Sequence, residues 1–295
     1  MRTFLTRVVI VHDWLDTSGG AELVLAQLLL CYPEADVFTL VDFMSEEERG
    51  FLRGHKITTS FIQRLPGARR YFRHFLQLMP RAIEALDVSQ YDLVISSSWA
   101  FAKGVKVRPG QTHVSYVHTP IRYAWDQQEL YLQQAISNEP LRKLARYLLS
   151  RLRHWDIKTS GRGGSLVANS HFIAERIQQC WQRESSVLNP PVAVNDFTCT
   201  EIKEDFYVTV SRLVHYKAVE ILVEAFNLMP DKRLVVIGDG PMFKRLQAMA
   251  GPNVELLGYQ SREVVIDHLQ RARAFVFAAH EDFGIVAVEA QACGT

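Results

Sequence analysis

The chain has 295 residues, of which 48% are hydrophobic and 22% charged, a composition typical of a soluble globular protein with room for two domains. Thirty-three basic and 32 acidic residues give a formal net charge of +1, so no overall field favours nucleic acid, and no nucleic-acid-binding module is recognisable. The longest apolar runs, such as 8–11 and 275–279, are far shorter than the roughly 18 to 20 residues of a membrane span. These values exclude a largely disordered chain and a membrane-spanning one.

The four cysteines show neither a CxxC pair nor a histidine at metal-ligand spacing; they are Cys31, Cys180, Cys199 and Cys293. We expect four buried thiols in a reducing compartment, which makes the cytoplasm the expected location. Residues 1–7 lack the apolar stretch and cleavage site of a signal peptide, so a mature N-terminus is expected.

The first half repeats a pattern of strand, turn and helix. The β-branched run 7–12 precedes a loop ending at Ser18-Gly19-Gly20 and then a helix-like segment that extends to Cys31. Further strands are predicted at 35–41, 92–96, 113–118 and 165–168. This order is typical of a doubly wound parallel sheet covered by helices on both faces.

Adjacent prolines within 187–197 and a polar stretch after them predict a domain boundary. We therefore expect a first domain over 1–190, a linker over 191–205 and a second domain over 206–295. Four strand–helix units follow: the strands are expected at 206–211, 233–238, 253–258 and 274–279, and the helices at 217–229, after Pro241, at 261–271 and from Gly284. Because a further strand would be expected after the final helix, the second sheet is predicted to be incomplete.

The segment HEDFGIVAVEAQACG (280–294) follows a predicted strand, so it is expected at the carboxyl edge of the sheet, where ligands bind. Phe283, Gly284 and Ile285 would offer backbone N–H groups to phosphate oxygens at the start of a helix. The carboxylates of Glu281 and Glu289 are pure acceptors and suit sugar hydroxyls. A phosphate flanked by diols indicates a nucleotide sugar. In the alternative reading, Glu281 or the adjacent aspartate caps the helix and Glu289 is solvated.

The E-x7-E pattern from Glu281 to Glu289 resembles the signature of glycosyltransferase family 4, whose members are retaining enzymes with the GT-B fold. VSRLVHYK (210–217) resembles the GRLxxxKG segment of that family, although Ala218 replaces the usual glycine. IGDGP, LLGYQS, LNPPV, GGAE and VHTPIRYAWD also match in order. The resemblance implies two Rossmann-like, doubly wound domains that face each other across a cleft, the first binding the acceptor and the second, truncated here, the nucleotide sugar.

The resemblance implies roles for charged residues of the second domain. Arg212 and Lys217 would neutralise the donor diphosphate and stabilise the leaving group without a metal, a role that suits two cations after a strand end. Ordinary surface ion pairs are the alternative for these two residues. By the same resemblance, Glu289 would bind the ribose hydroxyls and Glu281 the transferred hexose.

Five further positions receive roles in the same way. Gly258 and Tyr259 would lie near the base, with Tyr259 as a core residue the alternative. Gly19 and Gly20 would let backbone N–H groups reach the diphosphate or acceptor, with a simple tight turn the alternative. His118, in the HTPIRYAW segment, would contact a hexose hydroxyl; a structural histidine is the alternative.

The resemblance therefore implies a metal-independent glycosyltransferase, without a cofactor, that moves a hexose from GDP-mannose or a UDP-hexose. HTPIRYAW most resembles bacterial mannosyltransferases of O-antigen and exopolysaccharide synthesis, which implies mannose and a saccharide or lipid-linked acceptor for a cell-surface polysaccharide. A truncated, catalytically inactive transferase is the alternative. A nicotinamide-dependent oxidoreductase is disfavoured because Phe243 occupies the third-glycine position of GxGxxG.

Residues 49–83 contain no acidic side chain, whereas eight basic residues alternate there with aromatic ones. The basic residues are Arg49, Arg53, Lys56, Arg64, Arg69, Arg70, Arg73 and Arg81, and the aromatic ones are Phe51, Phe61, Tyr71, Phe72 and Phe75. This mixture suits an anionic membrane surface, and lipid-linked acceptors of the family imply peripheral attachment at the cytoplasmic leaflet. A solvated helix face over a buried aromatic stripe is the alternative.

Overall fold

A computed structural model describes residues 6–162 and 164–295. The chain forms two compact units, Met1–Pro191 and Val192–Thr295, so the division falls directly after the Pro190-Pro191 pair. Each unit contains a parallel β-sheet with helices, which confirms the predicted α/β class.

The first unit contains a seven-stranded parallel sheet in the order β3-β2-β1-β4-β5-β6-β7. Its strands are β1 (Val8–His12), β2 (Asp36–Thr39), β3 (Ile57–Thr59), β4 (Leu93–Ser98), β5 (Thr112–Val117), β6 (Ser165–Ala168) and β7 (Ser186–Val187). Its helices are α1 (Gly20–Cys31), α2 (Ala68–Tyr71), α3 (Met79–Glu84), α4 (Gln128–Ala135), α5 (Glu139–Ser160) and α6 (His171–Trp181).

Alternate residues of β1 enter two different hydrophobic cores. Val9 and Val11 pack in a core that includes buried side chains of α3 and α5, whereas Val8 and Ile10 pack in a core formed with α1. All five residues of the strand are buried. A central parallel strand covered on both faces therefore reads as the continuous β-branched run seen in the sequence.

The second unit contains a four-stranded parallel sheet in the order β10-β9-β8-β11. Its strands are β8 (Glu204–Val210), β9 (Arg233–Ile237), β10 (Val254–Gly258) and β11 (Ala272–Phe275), and its helices are α7 (Val219–Asn227), α8 (Phe243–Met249), α9 (Arg262–Arg271) and α10 (Ile285–Ala292). The helix predicted from residue 217 begins later, because Lys217 ends a 3-10 turn and Ala218 adopts a left-handed conformation.

The prediction of four buried thiols is wrong for two of them. Cys31 and Cys199 are exposed, Cys180 is half-buried and Cys293 is buried. Cys31 is the last residue of α1 and is exposed, so a helix-like apolar neighbourhood in sequence does not ensure burial. Over the described residues, no helix combines the length and apolar character needed to cross a membrane.

Candidate functional site

The carboxyl ends of three neighbouring strands bring polar side chains together in the first unit. His12 ends β1, Ser97 is the penultimate residue of β4, and His118 directly follows β5. The Oγ of Ser97 lies 3.1 Å from Nδ1 of His12 and 2.9 Å from Nε2 of His118. Burial, together with the neighbouring His12, lowers the pKa of His118 to about 3, so its imidazole is neutral near pH 7.

Gly19 and Gly20 open helix α1 at the same edge of the sheet. Gly19 is the N-cap residue with extended backbone and Gly20 is the first helical residue, so the simple tight turn does not apply. Glu22, in the first turn, is buried and its Oε1 lies 3.5 Å from Nε2 of His12. A Cβ at Gly19 would lie 3.1 Å from the other Glu22 oxygen, so a side chain there would displace this carboxylate.

Asp13 fixes the loop that follows β4. Its buried carboxylate accepts hydrogen bonds from the four backbone N–H groups of residues 99–102, at 2.6–2.8 Å. Burial raises the pKa of Asp13, while these donors act in the opposite direction. The loop presents Trp99, whose ring lies edge-on 4.8 Å from His12 and 5.8 Å from His118.

In the second unit, two predicted site residues form an ion pair. Nζ of Lys217 lies 2.7 Å from both carboxylate oxygens of Glu281. Lys217 follows β8 and Glu281 precedes α10, so the sheet brings together residues 64 apart in sequence. Both side chains are half-buried, with 20% and 26% of their surface exposed. Arg212 lies in the same loop as Lys217, two residues after the end of β8.

Helix α10 begins where the motif predicts. Gly284 is its N-cap residue, with a φ of 83°, Phe283 directly precedes this cap, and Ile285 is the first helical residue. The cap residue is thus Gly284 rather than an acidic neighbour. A Cβ at Gly284 would lie 3.6 Å from the Cβ of Glu281, so Glu281 packs against the start of the helix. The ammonium of Lys217, this carboxylate and the helix N-terminus therefore occupy one region.

Glu289 lies within α10 and is only 8% exposed, so the solvated alternative is wrong. Its Oε1 lies 3.4 Å from Nη1 of Arg262, a residue that the sequence analysis did not single out. Burial raises the pKa of Glu289, and the guanidinium of Arg262 opposes that shift.

Tyr259 is 82% exposed, so the core alternative for this residue is wrong. The preceding Gly258 ends β10 with a φ of 69°.

Gly240 in the IGDGP segment has a φ of 156°, and a Cβ there would come within 2.5 Å of the carbonyl oxygen of Leu213. Only glycine therefore allows the loop after β9 to pack against the loop after β8.

Within residues 6–162 and 164–295, no three His, Cys, Asp or Glu side chains are arranged to hold a metal ion. Metal independence stays a prediction.

Two family models match the chain. The model for Glycosyltransferase Family 4 matches residues 18–195, which is more than half of the chain, and the model for Glycosyl transferases group 1 matches residues 200–295.

Curated relatives include D-inositol 3-phosphate glycosyltransferases from Mycobacterium sp. (strain KMS) and Mycobacterium avium (strain 104). The first is 26% identical over 241 residues, covering 73% of this chain and 52% of the relative; the second is 26% identical over 239 residues, covering 73% and 54%. The chain thus spans about half the length of these relatives.

Three solved structures show the same fold. The apo form of the lipopolysaccharide outer core galactosyltransferase WaaB is 19% identical, with a TM-score of 0.61, and the match covers 98% of this chain and 78% of that chain. Anabaena HepE in complex with UDP and glucose is 18% identical, with a TM-score of 0.62 and coverages of 98% and 79%. Sucrose-phosphate synthase from Thermosynechococcus elongatus is 15% identical, with a TM-score of 0.63 and coverages of 98% and 80%.

Proposed function

Because the chain belongs to glycosyltransferase family 4 and has the predicted GT-B fold, we propose that it transfers a hexose from a nucleotide sugar to a saccharide hydroxyl with retention of configuration. One observation carries the proposal beyond family membership: Lys217 and Glu281 meet at the open N-terminus of α10. A cation and free backbone N–H groups suit a diphosphate, and the adjacent carboxylate suits a sugar hydroxyl.

The ion pair has a defined part in donor binding. Glu281 forms an ion pair with Lys217. An arriving diphosphate would exchange for that carboxylate on the ammonium and would also meet Arg212, and Glu281 would then accept from the hexose. Cations and amide dipoles that act on the departing diphosphate stabilise its developing charge in the transition state.

The remaining roles implied by the family resemblance belong to the same proposal. Glu289 binds the ribose hydroxyls, which its buried position beside Arg262 supports, because a fixed acceptor orients a diol better than a mobile one. Tyr259, exposed after Gly258, is available to contact the base. In the first unit, Gly19 and Gly20 provide backbone N–H groups at the start of α1 for the diphosphate or acceptor, and His118 contacts the hexose.

The expected donor is GDP-mannose or a UDP-hexose, used without a metal, and the expected acceptor is a saccharide or lipid-linked saccharide of a surface polysaccharide. Thermal-shift measurements with GDP- and UDP-sugars, with and without a chelator, test this choice. A donor present at 100 times its dissociation constant stabilises the folded state by about 2.7 kcal/mol.

Release of nucleoside diphosphate by the 295-residue chain tests the reaction itself. We expect Lys217→Ala and Glu289→Ala to lower donor turnover at least tenfold, because each removes a group that touches the donor. Lys232→Ala is the matched control, since Lys232 precedes β9 at the opposite edge of the sheet and pairs with Asp231. Wild-type turnover in both site variants refutes the proposed roles. A folded wild-type chain without turnover supports the inactive-fragment alternative.

Attachment to an anionic membrane surface is a further part of the proposal. Most of the basic residues between 49 and 83 are exposed, as are Phe61 and Tyr71, whereas Phe72 is buried and two other phenylalanines are half-buried. We expect the chain to co-sediment with anionic vesicles at low salt, to be released at high salt, and to lose binding in the double variant R69E/R70E. Equal binding to neutral vesicles contradicts this expectation.

A further inference from the structure

A continuous series of hydrogen bonds connects a carboxylate to His118 in the first unit. The series runs from Glu22 to Nε2 of His12 (3.5 Å), from Nδ1 of His12 to Ser97 (3.1 Å), and from Ser97 to Nε2 of His118 (2.9 Å). His12 and Ser97 are fully buried and Glu22 nearly so. Water therefore has little access to the groups that determine where each proton lies.

The arrangement of hydrogens begins at Glu22. In the His12 tautomer with hydrogen on Nε2 alone, this N–H faces a carboxyl oxygen of Glu22, which accepts. His12 Nδ1 is then a lone pair and accepts the Ser97 hydroxyl proton. Ser97 has only one proton, so its oxygen accepts from His118, and Nε2 of His118 carries the hydrogen.

The free nitrogen of His118 is thereby defined. A neutral imidazole with hydrogen on Nε2 has a lone pair on Nδ1, which forms no hydrogen bond within the part of the chain that the structure describes. His118 itself is only half-buried, so Nδ1 is open to a ligand group.

We propose that Glu22, His12 and Ser97 are positioning residues that hold His118 in the Nε2–H tautomer, so that Nδ1 accepts a hydrogen bond from a hydroxyl of the transferred hexose. The hexose contact rests on the proposed function, whereas the His118 tautomer rests on these hydrogen bonds and on the Nε2–H tautomer of His12. His118 is in this account an acceptor that orients the sugar and not a proton donor to it.

Aromatic packing holds both imidazoles in the required orientation. Trp99 lies edge-on to both rings, and Tyr116 lies 5.2 Å from His118 on another side. Asp13 fixes the backbone that carries Trp99 through its four accepted hydrogen bonds. Rotation of either ring would therefore disturb a packed contact as well as a hydrogen bond.

Long-range 1H–15N NMR of the histidine-labelled chain tests the tautomer directly. We expect wild-type His118 at neutral pH to carry its proton on Nε2, with resonances assigned by a His118→Gln variant. Ser97→Ala should lower the Nε2–H share, and Ser97→Thr, which keeps the hydroxyl, should restore it. Ser96→Ala is the matched control, because Ser96 bonds to His113 and Ser115 instead. A proton on Nδ1 in the wild-type protein overturns the inference without any variant.

Kinetics test the consequence for the sugar. We expect Ser97→Ala to lower kcat about tenfold or more at nearly unchanged donor KM, with recovery in Ser97→Thr and wild-type values in Ser96→Ala. Wild-type kcat in a folded Ser97→Ala variant overturns the positioning role. A wild-type chain that transfers no hexose overturns the proposed function and the hexose contact, and the NMR result then decides the tautomer by itself.

Discussion

Replacing Asp156 with alanine is expected to destabilise the first unit by about 3–5 kcal/mol, the cost of removing one partner of a buried ion pair. Asp156 is fully buried in α5 and accepts a hydrogen bond from Nζ of Lys103 at 2.5 Å. Its second oxygen accepts from the indole N–H groups of Trp125 and Trp181, at 2.8 and 2.7 Å.

The magnitude follows from the three donors that lose their acceptor. The variant leaves a buried ammonium without a counter-charge and two indole N–H groups without partners. An unsatisfied buried polar group costs about 1–3 kcal/mol, and a charged one more. Lys103 also lies 5.0 Å from the ring centroid of Trp155, a cation–π contact that depends on the position Asp156 gives the ammonium.

Urea unfolding followed by tryptophan fluorescence isolates this effect, because all five tryptophans lie in the first unit. With a slope of about 2 kcal/mol per M, the midpoint should fall by roughly 1.5–2.5 M. Lys103→Met should also destabilise, and K103M/D156N should lose less than the sum of its single variants, because the charges leave together. Glu129→Ala, which removes an exposed partner of Arg146, should keep the wild-type midpoint. Additive single variants, or an Asp156→Ala midpoint equal to that control, refute the reasoning.

Burial lowers the pKa of His113 to about 4 and that of His118 to about 3, below the unfolded value of about 6.5, so between these limits the unfolded chain binds more protons. The unfolding free energy of the first unit should therefore fall as the pH decreases from about 6.5 to 4. Each of the two histidines should contribute a slope of roughly 1.4 kcal/mol per pH unit, and His113→Gln should reduce the total slope measured in urea titrations. Ala218 adopts a left-handed conformation with a φ of 51°, so Ala218→Gly should stabilise the second unit by about 1 kcal/mol in calorimetry. Gly240→Ala should destabilise that unit in the same measurement, because the added Cβ meets a backbone carbonyl. An Ala218→Gly variant no more stable than wild type contradicts the first expectation, and a Gly240→Ala variant no less stable contradicts the second.

Strand periodicity and turn residues were sufficient to predict the main strands of both sheets except the last. The strand predicted at 274–279 shares only residues 274 and 275 with β11 (Ala272–Phe275), so most of that apolar run lies outside the strand. The predicted strand at 165–168 coincides with β6, and the helix predicted at 261–271 differs from α9 by one residue. The short strands β3 and β7 were not predicted, because three and two residues carry too little alternation to be recognised. Both lie at edges of the sheet, where burial restricts residue type least.

The site was predictable where its residues lie close together in sequence. Glu281, Gly284 and Glu289 lie in one motif, and the structure places them around the start of α10 as expected. The ion pair between Glu281 and Lys217 was not predicted, because it requires that β8 and β11 be neighbours in the sheet. Strand order is set by tertiary packing, and local patterns do not encode it.

The three serines that end β4 show why the contacts among His12, Ser97 and His118 were not predicted. A central strand buried on both faces is normally apolar, yet residues 96–98 are all buried serines. Successive side chains point to opposite faces, so Ser96 bonds to His113 and Ser97 bonds to His12 and His118. The hydroxyls of Ser96 and Ser97 thus give hydrogen-bond partners to imidazoles of the neighbouring strands, so a run of serines ending an apolar strand predicts buried polar partners beside it.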